Sequence, residues 1–246
     1  MRKYKADLHI HTLLSPCGSL EMSPVNIIEV ALNAQLDIIA ITDHNSTKQA
    51  KLIKKLGKEK GIVVFCGAEI NSAEEVHCLV LFETDEQLDF FQLFIDKNMK
   101  TVRNKPSVFG EQVVVDENEM IVEEVKYLLI NSLNASLTEI EQHAHELGGL
   151  VIPAHVDRYY NGLFSQLGFM PEGLKVDAFE ISKNTTTNEW ISNGKIPEGA
   201  TLIRNSDAHV PEQIGKSHTY YLMEAPVFSE LKLALHGLEG RKASTT

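Results

Sequence analysis

Short apolar runs alternate along the chain with longer stretches in which apolar residues recur at helical spacing. Each run is almost continuously hydrophobic, which is typical of parallel strands that are buried on both faces. The strands predicted in this way span residues 5–11, 36–42, 61–70, 76–82, 149–154, 176–182, 200–205 and 219–223.

Helical patterns occupy the intervals between these strands. Ser23 followed by Pro24 predicts a helix start, because serine can cap the first turn and proline fits its first position. Gly148 and Gly149 predict a helix end. The repeated alternation of strand and helix indicates a βα-type barrel or a doubly wound sheet. The predicted helices span residues 25–33, 48–60, 86–97, 138–147 and 228–238.

Residues 98–134 interrupt this rhythm. Two β-prone runs flank a polar turn at residues 116–119, so the stretch is predicted to be a hairpin excursion. It is too short to build a hydrophobic core of its own. We interpret it as a surface flap and keep a lid over the substrate as the alternative.

Composition and charge narrow the class of protein. The 246 residues are 43% hydrophobic, and 23 lysines and arginines stand against 34 aspartates and glutamates, for a formal net charge of −11. A chain this acidic is not expected to grip long nucleic acid. No apolar run is long enough to cross a bilayer, and 3 scattered cysteines do not make a disulfide framework. We therefore expect a cytoplasmic protein that contacts no membrane.

The first strand carries the earliest sign of chemistry, in the sequence Asp7-Leu8-His9-Ile10-His11. Strand alternation places Asp7, His9 and His11 on one face and Leu8 and Ile10 on the packed side, with the imidazoles about 6–7 Å apart along the strand. Imidazole is a common ligand of zinc, manganese and iron, and a neighbouring carboxylate can fix its tautomer. The pattern therefore suggests a metal site.

Other predicted strands end in the same types of side chain. The carboxyl ends of the strands in a βα fold converge on one face, where active sites lie. Histidines and carboxylates crowded there require a positive charge, and divalent metal ions supply it. The alternative is a set of core histidines with separate partners and of aspartates that cap helices. The residues concerned are Asp43, His44, Glu69, His155, Asp207 and His209, with His77 added if the amino end of its strand reaches the same face.

Five motifs in this order resemble those of the PHP (polymerase and histidinol phosphatase) superfamily, and the resemblance runs from Asp7 to about Leu235. It implies a distorted (β/α)7 barrel, forming a single PHP-type catalytic domain over residues 1–246, with two or three divalent metal ions that act in phosphoester hydrolysis. Zinc, manganese and iron all suit the donor types. The motifs are DLHIH at residues 7–11, ITDH at 41–44, Glu69 after Gly67-Ala68, PAH at 153–155 and SDAH at 206–209.

The resemblance also implies which residues bind each metal ion. The remaining ligand of a third metal is usually aspartate or histidine in the family, whereas this chain has Cys17 there. A Cys17 thiolate would favour zinc, while a thiol that does not bind would leave the third site weak or empty. The implied ligands are His9, His11, Glu69 and Asp207 for the first metal, His77, His155 and the bridging Glu69 for the second, and His44 and His209 for the third.

Catalytic and substrate-binding roles are expected at the same end of the barrel. His209 and a water at the metals are the two candidates for the general acid, and Asp43 is expected either to act beside the metals or to support the turn that carries His44. Arg158 and Lys183 lie where loops at the barrel mouth could hold a substrate phosphate. Each of these two cations could equally be an ordinary solvated loop residue.

The leading hypothesis is a metal-dependent phosphoesterase, in which a metal-activated hydroxide attacks a small phosphomonoester, a nucleotide or a short oligonucleotide. Both a phosphatase and an exonuclease that trims short oligonucleotides fit it. An amidohydrolase-type hydrolase of C–N or C–O bonds is the second hypothesis, although its usual lone aspartate after the last strand differs from Asp207-x-His209. The third is a non-catalytic module that binds metal or phosphate. The oligomeric state is left open.

Overall fold

The structure, a computed structural model, describes residues 1–182, 185 and 194–245. Its strands include every predicted one and add a short strand near the carboxyl end. In chain order they are β1 (Arg2–Ile10), β2 (Ile38–Ile41), β3 (Val63–Asn71), β4 (His77–Phe82), β5 (Val113–Val115), β6 (Ile121–Glu124), β7 (Leu150–Pro153), β8 (Phe179–Glu180), β9 (Leu202–Ile203), β10 (Thr219–Met223) and β11 (Lys242–Ser244).

Within the described residues, seven strands form the main sheet, in the order β11-β10-β1-β2-β3-β4-β7. β1, β2 and β3 are parallel, as predicted. β4 runs antiparallel to β3 and β7, and β10 runs antiparallel to β1, so the prediction of parallel strands is wrong for these. The reason for β4 is its connection. Residues 72–76, which join it to β3, are too few for a crossover, and a short link allows only an antiparallel neighbour.

A short parallel pair, β8 and β9, lies between β7 and β1 and completes the curl of the sheet. On one side, the backbone N–H of Val156 donates to the carbonyl of Glu180 at 2.9 Å. On the other, the N–H of Leu8 donates to Oδ1 of Asn205 at 2.8 Å. The curled sheet with helices packed against it confirms the predicted distorted barrel of mixed α/β class.

The predicted helices are all present, with ends that differ from prediction by at most three residues. Thr84 and Ser136 make capping boxes with Gln87 and Glu139. Ser23 stands at a helix start, but its side chain accepts no capping hydrogen bond. None of the helices in the described part of the chain has both the length and the apolar character needed to span a membrane. The helices are α1 (Pro24–Asn33), α2 (Ala50–Lys60), α3 (Asp85–Asn98), α4 (Pro106–Phe109), α5 (Leu137–Glu146), α6 (Leu163–Leu167) and α7 (Phe228–Leu235).

The sheet carries a hydrophobic cluster on each face. One cluster packs α1, α2, α3 and α5 against the sheet and includes Ile10, whereas the other lies on the opposite face with α7 and includes Leu8. The prediction that these two residues share a face is therefore wrong. The pairing of β1 with β2 shifts register between Asp7 and Ile10, and this irregularity changes the alternation of side chains.

Residues 98–134 contain the predicted hairpin, in which β5 pairs antiparallel with β6. Gln49, at the start of α2, exchanges two hydrogen bonds with the backbone of Val115. Asn45 donates its side-chain amide to the carbonyl of Leu129 at 2.7 Å. The excursion is thereby fastened to the loop and helix that follow β2, which favours the surface-flap interpretation.

Gly67 lies in β3 at a close approach to β4. A Cβ at this position would lie 1.9 Å from the carbonyl oxygen of Val80. Because this neighbour is a backbone atom, no side-chain rotation can relieve the clash. We therefore expect Gly67→Ala to lower the free energy of unfolding by about 1–3 kcal/mol. Urea unfolding of the variant and of the wild type measures the loss. An unchanged midpoint would mean that the backbone of β4 can shift to accommodate the methyl group.

Candidate metal centre

The predicted ligands meet at one end of the barrel. Most of them stand at or just after the carboxyl ends of strands, as predicted. His77 reaches the same edge because β4 is antiparallel and begins there. All are buried except Asp207 and His209, which are partly exposed. The residues brought together are His9, His11, His44, Glu69, His77, His155, Asp207 and His209.

The carboxylate of Glu69 lies at the middle of this group and is almost completely buried. Imidazole rings from several different strands surround it, which is the environment expected of a ligand shared between metal ions. Its neighbours among the described residues are His77 Nδ1 at 2.9 Å, His44 Nδ1 at 3.0 Å, His155 Nε2 at 3.1 Å, His9 Nε2 at 3.3 Å and His11 Nε2 at 3.4 Å.

The rings of His9 and His11 point their Nε2 atoms at each other, 3.1 Å apart, and each Nε2 lies 3.3 Å from Oδ1 of Asp207. Contacts on the far side of each ring fix the position of the proton. His9 Nδ1 donates to the Glu180 carboxylate, 3.1 Å from both oxygens, and His11 Nδ1 donates to Oγ of Ser15 at 2.9 Å. In the neutral form of each ring, Nε2 therefore carries the lone pair, and both Nε2 atoms are directed at the same carboxylate oxygen.

Ser15 determines the direction of its bond to His11. Its hydroxyl donates its one hydrogen to Oδ1 of Asp43 at 2.7 Å, so it can only accept from His11 Nδ1 and from the N–H of His44. Asp43 also accepts from the N–H and the hydroxyl of Thr12, at 2.7 and 2.8 Å. These contacts favour the second expectation for Asp43, in which it supports the loops that carry the ligands.

A cation fits this arrangement. Nitrogen and oxygen atoms of imidazoles and carboxylates converge here, and several of these buried atoms have no hydrogen-bond partner. His44 Nδ1 and Glu69 Oε2 are 3.0 Å apart but not aligned for a hydrogen bond. A divalent ion bound among these atoms would pair them. The unpartnered atoms at the centre, within the described part of the chain, are His44 Nδ1, Glu69 Oε2, His77 Nε2, His155 Nδ1 and Asp207 Oδ1.

In the part of the chain that the structure describes, three sets of donor atoms lie within 4.8 Å of one another and could each hold an ion. One matches the first ligand set that the resemblance implies. The other two share His44, which therefore stands between the implied second and third metals. The sets are His9, His11, Glu69 and Asp207; His44, Glu69 and His77; and His11, His44 and His209.

Cys17 lies at the mouth of the centre, outside these sets. It is exposed and lines a cavity together with Asp207 and His209. Desolvation at the cavity wall and the negative charge of Glu69 raise the pKa of the thiol to about 12. Its role as a metal ligand stays a prediction.

Burial and charge move the pKa values of the histidines in opposite directions. At His9, burial opposes protonation, but the surrounding carboxylates, first that of Glu180, outweigh it and raise the pKa well above its usual value. Burial, reinforced by the charge of His11, lowers the pKa of His44 to about 3 and that of His209 to about 4. His44 and His209 are therefore neutral at pH 7, the form that binds metal.

Two of the predicted ligands have unusual backbone angles. His155 has a φ of 31° and Asp207 a φ of 52°. This left-handed region is uncommon for residues with a side chain and costs free energy, so it persists where the surrounding structure enforces it, often at functional sites. The strain here coincides with the centre.

Two carboxylates differ from expectation. Asp7 does not face the imidazoles: its oxygens accept the N–H groups of Ser206 and Gly215, both at 2.9 Å, and burial raises its pKa to about 6. Glu180, which was not predicted, holds His9 instead. A signal for it exists in the sequence, because a glutamate within a buried apolar strand requires a partner.

An open cavity of about 570 Å³ adjoins the centre. Arg158 lines it and pairs with Asp207, with Nη1 2.5 Å from Oδ2. Lys216, which was not predicted, adds an exposed cation to the wall. Lys183, the other predicted phosphate-binding residue, lies outside the described residues. No residue of 98–134 is among the described residues that line the cavity, so the lid interpretation gains no support.

Away from the centre, a second carboxylate binds two histidines. Oδ2 of Asp177 lies 3.0 Å from His145 Nε2, and its Oδ1 lies 2.8 Å from His236 Nε2. His145 Nδ1 in turn lies 2.6 Å from Oε1 of Glu141. These contacts link α5 to the end of α7 through the segment that leads into β8.

We expect this link to stabilise the fold more in mild acid than in base. The hydrogen bond to Asp177 raises the pKa of His145, so its contribution is complete below the unfolded pKa of about 6.5 and is lost as the pH rises through the folded pKa. His145→Gln should therefore cost up to about 1 kcal/mol at pH 6 and less at pH 9. Thermal unfolding at both pH values tests this, with His143→Gln as the control on the same helix. Equal losses at the two pH values would contradict it.

Known proteins resemble this chain in sequence. The family model of the PHP domain matches residues 7–160. An uncharacterized protein of Methanocaldococcus jannaschii is 43% identical over 79 residues, which cover 28% of this chain and 46% of that protein. The PolC-type DNA polymerase III of Ureaplasma parvum is 26% identical over 149 residues, which cover 58% of this chain and 10% of the polymerase.

One similarity of fold covers nearly the whole chain. Endonuclease Q of Pyrococcus furiosus, a lesion-specific endonuclease, matches with a TM-score of 0.73 and 20% identity over 98% of this chain and 58% of its own. Endonuclease Q in complex with a 27-mer duplex that has an abasic lesion at the active site matches equally well. That endonuclease holds duplex DNA, and the expectation that this chain does not bind long nucleic acid stays a prediction.

The chain spans less than two thirds of the length of these relatives. The match to the family model nevertheless includes most of the metal-ligand motifs, since it begins at Asp7 and extends past His155. It covers more than half of the 246 residues. Sequence motifs, barrel and ligand cluster agree, and the chain belongs to the PHP domain family, with the fold of its metal-dependent phosphoesterases and endonucleases.

Proposed function

We propose that this protein is a metal-dependent phosphoesterase that hydrolyses a small phosphomonoester, a nucleotide or a short oligonucleotide. The main support is the set of converging ligand atoms on His9, His11, Glu69 and Asp207, beside an open cavity with cations on its wall. Two or three divalent ions of zinc, manganese or iron bound at such a set would activate water and polarise a phosphate oxygen.

The protein's own residues would hold and orient these ions. Glu180 and Ser15 keep the protons of His9 and His11 on Nδ1, which leaves both Nε2 atoms free to bind. Glu69 is placed to bridge. We assign as metal ligands His9, His11, His44, Glu69, His77, His155, Asp207 and His209, with Cys17 as a further candidate.

Substrate would enter through the cavity. Arg158 uses one nitrogen on Asp207, and its remaining N–H groups can face a phosphate, while Lys216 offers a point charge on the same wall. Lys183 remains a further candidate. With a pKa lowered to about 4, His209 is neutral at pH 7 and a weak acid, so we favour its role as a ligand and assign the leaving-group proton to solvent in the cavity.

Elemental analysis of the purified protein, followed by a phosphate-release assay, tests the proposal. The assay uses mononucleotides, nucleoside bisphosphates, sugar phosphates, histidinol phosphate and short oligonucleotides with Mn²⁺ or Zn²⁺, and chelator-treated protein as the control. We expect two or three ions per chain and release from one substrate class. Fewer than two ions would contradict the ligand set. Full loading without turnover would favour the amidohydrolase or non-catalytic alternatives.

A second candidate function is cleavage within longer DNA, which the fold match with duplex-bound endonuclease Q favours. The net charge of −11 weighs against it, because contacts to many phosphates require many cations. A labelled duplex with an abasic site, assayed beside a short single strand, separates the two candidates. Faster cleavage of the duplex would favour the second.

A further inference from the structure

We propose that Tyr159 and Tyr160 form a stacking platform for a nucleobase beside the catalytic cavity, so that the substrate is a phosphoester that carries a base. The inference rests on the proposed function and narrows its substrate class to nucleotides and single-stranded oligonucleotides, as opposed to sugar phosphates. It follows from the exposure of the two rings, from how their backbone is held and from what lies next to them.

The two tyrosines are unusually exposed. The two residues are 80% and 76% accessible, the highest values among the large hydrophobic residues that the structure describes. The rings stand nearly perpendicular, with centroids 5.1 Å apart. A single exposed tyrosine needs no explanation, but two adjacent rings that pack into no core present aromatic faces to solvent at one place. Such faces are what a base stacks on.

The backbone on both sides of the pair is fixed to the metal centre. The N–H of Arg158 donates to the carbonyl of His155 at 2.8 Å, and its guanidinium binds Asp207. On the other side, the carbonyl of Asn161 accepts the N–H of His77 at 2.9 Å. The two tyrosines thus lie between anchors that contact three predicted metal ligands, and their position relative to the centre is defined.

The distance suits a nucleotide substrate. Tyr159 is four residues from His155, so their Cα atoms are at most about 14 Å apart. Successive nucleotides of a helical strand rise by about 3.4 Å, so this span corresponds to about four nucleotides. A base on the platform would therefore belong to the reacting nucleotide or to one of its near neighbours.

A second, smaller cavity lies beside Tyr159 and shares a wall residue with the first cavity. Its volume is about 230 Å³, Arg158 lines both cavities, and Tyr159 and Phe164 contribute aromatic walls. The acid on this wall, Asp157, accepts hydrogen bonds from the N–H and hydroxyl of Ser182, which offset part of its charge. A guanidinium for the phosphate and aromatic rings for the base are thus adjacent, and stacking tolerates any base because every base has a π-face.

The test compares binding of two oligomers by calorimetry. One is a thymidine tetranucleotide with phosphorothioate linkages, which slow cleavage, and the other has the same backbone without bases. We expect the metal-loaded wild type to bind the base-bearing oligomer between about 5-fold and 100-fold more tightly. The double variant Tyr159→Ala, Tyr160→Ala should lower this ratio to about 1. The variant Tyr159→Phe, Tyr160→Phe should keep it, since it keeps both rings.

Phe90→Ala, which removes an exposed ring on α3, is the matched control and should leave the ratio at the wild-type value. A wild-type ratio near 1, or a double alanine variant with the wild-type ratio, would overturn the platform. Binding does not require turnover, so the two proposals can fail separately. A base-dependent ratio without hydrolysis of any phosphoester rejects the phosphoesterase alone, and hydrolysis with a ratio near 1 rejects the platform alone.

Discussion

Replacing Glu69 by glutamine is expected to lower phosphoester hydrolysis by about a thousandfold, the loss that corresponds to several kcal/mol of metal-based stabilisation. The carboxylate is buried among imidazoles and has two oxygens directed at different rings. An amide would turn an N–H₂ group toward nitrogens that we propose as metal ligands, and it would remove the charge that two ions would share. The measurements are initial rates on the best substrate and metal content per chain.

Glu83→Gln, which neutralises an exposed glutamate outside the centre, is the control and should retain the wild-type rate and metal content. Thermal unfolding of both variants separates loss of the centre from loss of the fold. If Glu69→Gln kept its full metal content and a rate within tenfold of wild type, Glu69 would not be the bridging ligand.

The second large effect is expected at Glu180, a residue that touches no metal in the proposed arrangement. Its carboxylate accepts from His9 Nδ1, from the N–H of His155 at 3.1 Å and from the side-chain amide of Asn205 at 2.7 Å. The amide N–H₂ of a glutamine in its place would face at least one of these three N–H donors. That contact would be repulsive, and the ring of His9 would be held less firmly. Since partners of this kind are worth about 10-fold to 100-fold in metal affinity, we expect Glu180→Gln to weaken binding by that factor.

Competition with a metal indicator dye measures this affinity, and Glu172→Gln, at an exposed glutamate, serves as the control. The loss should also appear as a higher metal concentration needed for half-maximal hydrolysis, with a smaller change in the rate at saturation. Unchanged affinity in the Glu180 variant would mean that the backbone of β1 alone orients His9.

The positions of the strands could be predicted from the sequence because each buried strand is an apolar run, and apolar runs are local. The directions of the strands could not be predicted in this way, because an apolar run has the same pattern whether the neighbouring strand is parallel or antiparallel. For β4, the short link to β3 was enough to indicate an antiparallel strand. The register shift in β1, which separates Leu8 from Ile10, leaves no mark in the residue pattern at all.

The candidate site shows the same division. Histidines and carboxylates at strand ends could be predicted because chain order and strand direction bring them to one edge. The partners that orient them could not. Glu180 is 171 residues from His9 in the sequence. Nothing in the sequence distinguishes Ser15 from other loop serines, and only the structure places its hydroxyl between His11 and Asp43. The position of Lys216 in the cavity wall also could not be predicted, because it depends on the folded path of the chain.

The positive φ angles at His155 and Asp207 limit how this centre can be altered. By donor chemistry alone, glutamate or cysteine could stand in for either residue, as they do among metal sites in general. The left-handed backbone, however, admits asparagine, aspartate, histidine and glycine far more readily than other residues. Cysteine should therefore be accepted as a ligand at Glu69 or His44, where φ is not positive, more often than at His155 or Asp207, and a change of metal that needs a thiolate is easier to engineer at the first two positions.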